Sequence, residues 1–164
     1  MPELLHTVYL LLGSNLGDRV STLQHARESI SDYVGPILQH SALYETAAWG
    51  VTGQPSFLNQ VLKVLTPFAA DEVLRLTQRI EQHLGRVRRE KWGSRVIDID
   101  LLYFDAAVIK SEHLSVPHPF LHERRFTLVP LAEIAPELRH PVLNKTSRQL
   151  LEECRDALEV AKLT

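Results

Sequence analysis

The chain has 164 residues, 45% of them apolar and 23% charged, with a formal net charge of −2. That length suits one compact domain over residues 1–164, since domains cluster near roughly 100 to 150 residues, and the balance excludes a disordered chain. It also excludes a general attraction to nucleic acid or anionic membranes, and no apolar run reaches the ~18 residues that a membrane span needs. The single cysteine, Cys154, cannot pair within the chain, and the opening Met1-Pro2-Glu3-Leu4-Leu5-His6 lacks the basic and then apolar pattern of a secretory signal, so a reducing cytoplasm is expected.

Thr7 to Leu12 reads as a buried strand that stops at Gly13-Ser14-Asn15. Asp18 is placed to cap a helix whose apolar face is Val20, Leu23, Ala26 and Ile30, and Gly35-Pro36 ends it. Ile37 to Glu45 reads as one strand. Thr46 to Ser56, with its glycines, proline and tryptophan, reads as a loop leading to a further strand over Phe57 to Leu65. Asp71 caps a second helix with Val73, Leu76, Thr77, Ile80 and Leu84 on one face, and Gly85 stands where a residue of positive φ would close it. Arg86 to Arg95 is basic and without apolar period, hence a loop. Val96 to Phe104 is a strand, and Asp105-Ala106-Ala107 turns it back onto Val108-Ile109-Lys110 as a hairpin. A proline-flanked loop then leads to a helix over His122 to Glu133. Thr146 and Gln149 form a capping box for a last helix carrying Leu150, Leu151, Cys154 and Leu158. Strands interleaved with helices predict an α+β fold, a ferredoxin-like mixed sheet covered by helices.

The chemistry concentrates at Asp98-Ile99-Asp100. Side chains alternate along a strand, so the two carboxylates share one face about 6 to 7 Å apart, while Ile97, Ile99 and Leu101 enter the core. Their repulsion at that spacing is on the order of 2 kcal/mol at an effective dielectric of ~20, so something positive is expected between them. Magnesium takes one or two carboxylates plus phosphate oxygens, and a pair of such ions fits this spacing. An exposed strand face paired to arginines is the competing reading. Arg86, Arg88, Arg89, Lys91 and Arg95 lie just upstream and offer forked donors for phosphate. Alone they also suit a solvated basic loop, or a nucleic-acid patch assisted by Trp92, which the neighbouring aspartates disfavour. The turn after the first strand lacks the lysine of a phosphate-binding glycine loop, so any nucleotide would be held by side chains. Phe57 and Asn59, two apart on a strand, present an aromatic plane and an amide to one side, a pair that can stack on and read a flat heterocycle, with core packing of Phe57 as the alternative. Gln78 and Glu81 are neighbours on one helix face and, taken alone, read as a solvated pair. His118 and His122 are four apart, but Pro117 and Pro119 argue against helix there, and no zinc site is expected.

The ordered series LLLGSNLGD (Leu10 to Asp18), YETAAWG (Tyr44 to Gly50), FLN (Phe57 to Asn59), TQRIE (Thr77 to Glu81), GRVR (Gly85 to Arg88), WGSRVIDIDLL (Trp92 to Leu102), VPHP (Val116 to Pro119) and RRFTLVPLAEIAPEL (Arg124 to Leu138) resembles the 6-hydroxymethyl-7,8-dihydropterin pyrophosphokinase family of folate biosynthesis. The resemblance implies ATP as diphosphate donor, two magnesium ions, and AMP and the pterin diphosphate as products of an in-line attack on the β-phosphorus. Residue by residue, it implies that Asp98 and Asp100 bind metal. Gln78, Glu81, Arg86, Arg88, Arg95, His118 and Arg124 would meet ATP or its phosphates, with the Leu101 backbone at adenine. Thr46, Ala48, Trp49, Phe57, Asn59 and Phe126 would form the pterin pocket, the ring lying between Phe57 and Phe126, and Trp92 would close over it. Arg88 and Arg95 join the aspartates as catalytic groups. The implied partners are the two small substrates, with no nucleic acid or membrane, and the chain is expected to be a monomer. A non-catalytic nucleotide- or pterin-binding module on the same fold is the other function this pattern permits.

Overall fold

The computed structural model describes residues 4–47, 56–85 and 96–163. In chain order the elements are β1 (His6–Ser14), α1 (Arg19–Tyr33), β2 (Ile37–His40), β3 (Tyr44–Thr46), β4 (Phe57–Thr66), α2 (Ala70–Gly85), β5 (Asp98–Phe104), β6 (Ile109–Lys110), β7 (Ser115–Val116), a 3₁₀ turn (Leu121–Glu123), α3 (Arg125–Ile134), α4 (Ser147–Glu153) and β8 (Val160–Lys162). The main sheet runs β5-β1-β4-β3-β8, with β2 also paired to β4, and each of these pairings is antiparallel. The expected α+β class and helix-covered sheet are what the chain forms.

Alternation along β1 sorts the molecule into two cores. Val8, Leu10 and Leu12 point to one face, where Leu23, Ala26 and Ile30 of α1 and Val73 and Ile80 of α2 meet them. Tyr9 and Leu11 point to the other, against Tyr103, Leu121 and Leu131. Burying each such large side chain contributes roughly 1.5 to 3 kcal/mol, so both faces resist a slip of register. The Asp18 carboxylate accepts from the Ser21 N–H at 3.0 Å and starts α1 as expected. Val20, assigned to the apolar face, is 47% exposed.

Several boundaries differ from the sequence reading. The expected strand Ile37 to Glu45 is two strands, because Ser41 leaves the ladder and uses its hydroxyl to accept from the Val61 N–H at 3.0 Å. The second helix begins at Ala70, with the Val73 N–H donating to the Ala69 carbonyl, which puts Asp71 in the first turn. Gly85 remains the last helical residue and lacks the positive φ expected of it. The turn at Asp105, φ 48°, does not fold β6 back onto β5; β6 pairs with β7 instead. The edge of β5 is thereby left to α2. The capping box of Thr146 and Gln149 forms, but α4 stops at Glu153, and Leu158 lies outside it in a stretch that leads into β8. Among the described residues no helix is long and apolar enough to cross a membrane.

Candidate active site

A cleft of about 690 Å³ opens on the α3 side of the sheet. Its floor follows from strand register. Asp98 of β5 lies opposite Gly13 of β1, which lies opposite Asn59 of β4, so the three positions form one row across the sheet. Asp100 lies opposite Leu11, and Thr46 opposite Phe57, in the adjoining rows on the same face. Side chains two apart on a strand share a face, and this row structure gathers acids, an amide, a hydroxyl and an aromatic ring from four parts of the chain.

Gly13 is needed at the centre of the row. A Cβ there would stand 2.8 Å from the Asn59 Nδ2, which donates to the Leu12 carbonyl at 3.2 Å. The Thr46 hydroxyl is buried and finds no partner among the described residues, although it borders the cleft. An unpaired buried hydroxyl costs about 1 to 3 kcal/mol, which a polar ligand atom would recover. Phe57 and Phe126 both face the space, and Arg124 lies over the rings of Phe120 and Phe126 at 5.0 and 5.7 Å.

At the acidic end, β5 is an edge strand, and the N–H of Ile99 points away from β1. The Glu81 carboxylate of α2 accepts from it at 2.7 Å, satisfying a donor that an edge would otherwise leave open. Burial, and then the proximity of Asp98 and Asp100, push the Glu81 carboxyl up to about 7, and it shares a hydrogen bond with Asp98. Glu81 thus stands beside the two aspartates that line one end of the cleft. Among the described residues no group of three or more His, Cys, Asp or Glu side chains is placed to hold a metal ion. A hard cation that takes two carboxylates and completes its shell with water and phosphate oxygens fits this donor set.

Of the residues singled out from the sequence, Thr46, Phe57, Asn59, Asp98, Asp100, Arg124 and Phe126 line this one cleft. Glu81 reaches its acidic end, whereas Gln78 is exposed on α2. The side chain of Leu101 enters the core, and Leu101 is not among the residues lining the cleft. His118 borders a second cavity of about 260 Å³, and burial with the nearby Arg124 holds it below the ordinary histidine range, Asp98 opposing. Ala48, Trp49, Arg86, Arg88, Trp92 and Arg95 lie outside the described residues. The sequence reading missed Leu11, Gly13, Ala47, Phe120, Glu123, Asp156 and Leu158, all of which line the cleft. Gly13 carried a signal, a glycine closing an apolar strand. Asp156 and Leu158 carried none, because only strand pairing at the far end of the chain brings them in.

The family model for 7,8-dihydro-6-hydroxymethylpterin-pyrophosphokinase matches residues 9–136, a span containing the whole acidic end and most of the cleft floor. The chain belongs to this family. It is 44% identical to the 2-amino-4-hydroxy-6-hydroxymethyldihydropteridine pyrophosphokinase of Aquifex aeolicus over 87% of this chain and 89% of that protein. The corresponding enzyme of Bacillus subtilis is 41% identical over 79% and 78%. The family fold is also evident in the Plasmodium falciparum HPPK-DHPS crystal structure with SDX-DHP, at TM-score 0.77 and 19% identity; the match covers 92% of this chain and 44% of that one. The family span ends at residue 136, so the C-terminal stretch that carries Asp156 lies beyond it.

Proposed function

We propose that the chain transfers the terminal diphosphate of ATP to the hydroxymethyl group of 6-hydroxymethyl-7,8-dihydropterin, releasing AMP, as a step of folate biosynthesis. One observation carries this: in a chain of this family, a single cleft joins paired carboxylates at one end to a stacking and edge-reading surface at the other. The pterin ring would lie between Phe57 and Phe126, with the Asn59 amide and the orphaned Thr46 hydroxyl reading its edge. Ala48, Trp49 and Trp92 would complete and close that pocket.

Asp98 and Asp100 would hold two magnesium ions, which when bound neutralise charge on the phosphate oxygens. Arg124 and His118 would meet the phosphates, joined by Arg86, Arg88 and Arg95. Gln78, Glu81 and the Leu101 backbone would hold the remainder of the nucleotide. The pterin hydroxyl oxygen then attacks the β-phosphorus in line, its proton passing to solvent, and the bond from that phosphorus to the oxygen bridging it to the α-phosphate breaks, so AMP leaves with that oxygen. Among the described residues the cleft supplies alignment and charge, the two effects on which phosphoryl transfer chiefly depends. The same reading makes the chain a cytoplasmic monomer in which Cys154 stays a free thiol.

The test is AMP formation. Release of AMP that requires both magnesium and the hydroxymethyl dihydropterin is the expected result. Binding of nucleotide or pterin without any AMP would instead favour a non-catalytic binding module.

A further inference from the structure

The C-terminal stretch beyond α4 borders the cleft. Asp156 and Leu158 both line it. Two residues later β8 adds to the sheet alongside β3, with Val160 opposite Thr46 and Ala161 opposite Glu45. The antiparallel course therefore carries Leu158 past the Thr46–Ala47 edge, where the pterin would be read.

Asp156 makes two backbone contacts. Its Oδ1 accepts from the Leu158 N–H at 3.0 Å, which fixes the local turn, and its Oδ2 accepts from the Arg125 N–H at 3.1 Å. Arg125 is the first residue of α3, and the preceding residue, Arg124, makes no side-chain cap. A carboxylate at that point both satisfies an open donor and complements the helix dipole. The capped turn carries Phe126, one face of the proposed ring sandwich.

Other groups hold the rest of α3. Glu133, near its far end, accepts from the Ala42 N–H and from the Tyr44 hydroxyl. Leu128 and Leu131 are fully buried. Arg124 is steadied by the Phe120 ring as well as by Phe126. Loss of Asp156 should thus loosen the first turn, and Phe126 in particular, without releasing the helix.

We propose that Asp156 is a positioning residue for the pterin subsite, capping α3 from the far end of the chain so that Phe126 stands at stacking distance across the cleft from Phe57. This rests on the proposed function, in that it takes the pterin as the ligand between those rings. The interaction is made by ground state and transition state alike, so it acts on binding rather than on the chemical step.

The experiment compares Asp156→Ala, Asp156→Asn and the parent chain by steady-state kinetics and by amide hydrogen exchange. Asp156→Ala is expected to raise KM for the pterin about tenfold, the equivalent of one lost helix cap, while kcat per folded enzyme and KM for ATP stay within about twofold. Asp156→Asn keeps one acceptor oxygen and is expected to fall between the two. The Arg125 amide, slow to exchange in the parent, should exchange faster in Asp156→Ala, while protection in β1 and β4 is unchanged. A pterin KM unchanged beside a faster Arg125 amide would overturn the proposal, leaving a cap with no bearing on the site. An Arg125 amide that exchanges equally fast in the parent would also overturn it. Should Asp156→Ala fail to fold, Asp156→Asn carries the same comparison. If the parent chain forms no AMP from the pterin, the proposed function fails, and the exchange measurement still reports on the cap independently.

Discussion

Asp100 and Gly13 occupy adjoining rows of the sheet and serve the cleft in opposite ways, one by charge and one by the lack of a side chain. Asp100 adds to the field that lifts the Glu81 carboxyl. Asp100→Asn, which keeps the shape but removes the charge, should cut turnover by about a hundredfold or more. Near-normal turnover at saturating magnesium would remove the metal assignment. Gly13→Ala should act differently. The new Cβ would stand 2.8 Å from the Asn59 Nδ2, and Asn59 is only 4% exposed, so the amide has little room to give. The expected cost is ~1 to 3 kcal/mol of stability, as for other overpacked sites, with a rise in pterin KM and no change in KM for ATP. Denaturant melts and paired KM measurements separate these effects. The aspartates were legible from sequence because charge inside an apolar strand breaks a local rule. The precise service of Gly13 was not, since it depends on which residue of β4 stands opposite.

The caps at Asp18 and Thr146, whose signals are local, formed where the sequence places them, whereas the pairings of β6 and β8, which depend on a distant partner, did not follow from it. The capping box at Thr146 is local: its hydroxyl accepts from the Gln149 N–H at 3.2 Å, and the Gln149 side chain accepts from the Thr146 N–H at 2.9 Å. Thr146→Ala should cost about 1 kcal/mol in a denaturant melt and leave both KM values alone, because α4 packs behind α3 and away from the cleft floor. A change in pterin KM would show that α4 communicates with the site. By contrast, β6 was assigned to β5 on the strength of a plausible turn, yet β7 captures it. The same is true of β8, whose short Val160–Lys162 run has no strand signature apart from its pairing with β3. Glu81 shows the same effect at the site. On α2 it reads as a solvated neighbour of Gln78, and its role at the edge of β5 exists only once that edge is left open.

At the scale of the whole molecule, acid reaches the interior under α3 through buried histidine. His140 is 5% exposed, with the ring of Tyr103 edge-on at 5.8 Å and that of His122 at 6.2 Å. Its Nδ1 accepts from the Val142 and Leu143 N–H groups at 3.2 and 3.0 Å, a role that only the neutral ring can fill. Burial and the neighbouring His122 hold its pKa below the ordinary value of 6.5. Burial and Arg124 depress His118 in the same direction. In the unfolded chain both rings take up protons near 6.5, whereas the folded chain resists, so over that window the unfolded state binds more protons. The stability they contribute is complete above about pH 6.5 and is lost as the pH falls through the depressed folded values. Glu81, raised to about 7, binds its proton more readily in the folded chain and so opposes them over the same window. The test is therefore a comparison: between about pH 7.5 and about pH 5.5 the denaturant midpoint of His140→Asn should fall less, or rise more, than that of the parent chain. The asparagine oxygen can accept from the same two backbone donors and does not titrate, while His118 keeps the residual slope. A pH dependence identical in variant and parent would remove His140 from the account and leave His118 as the histidine responsible.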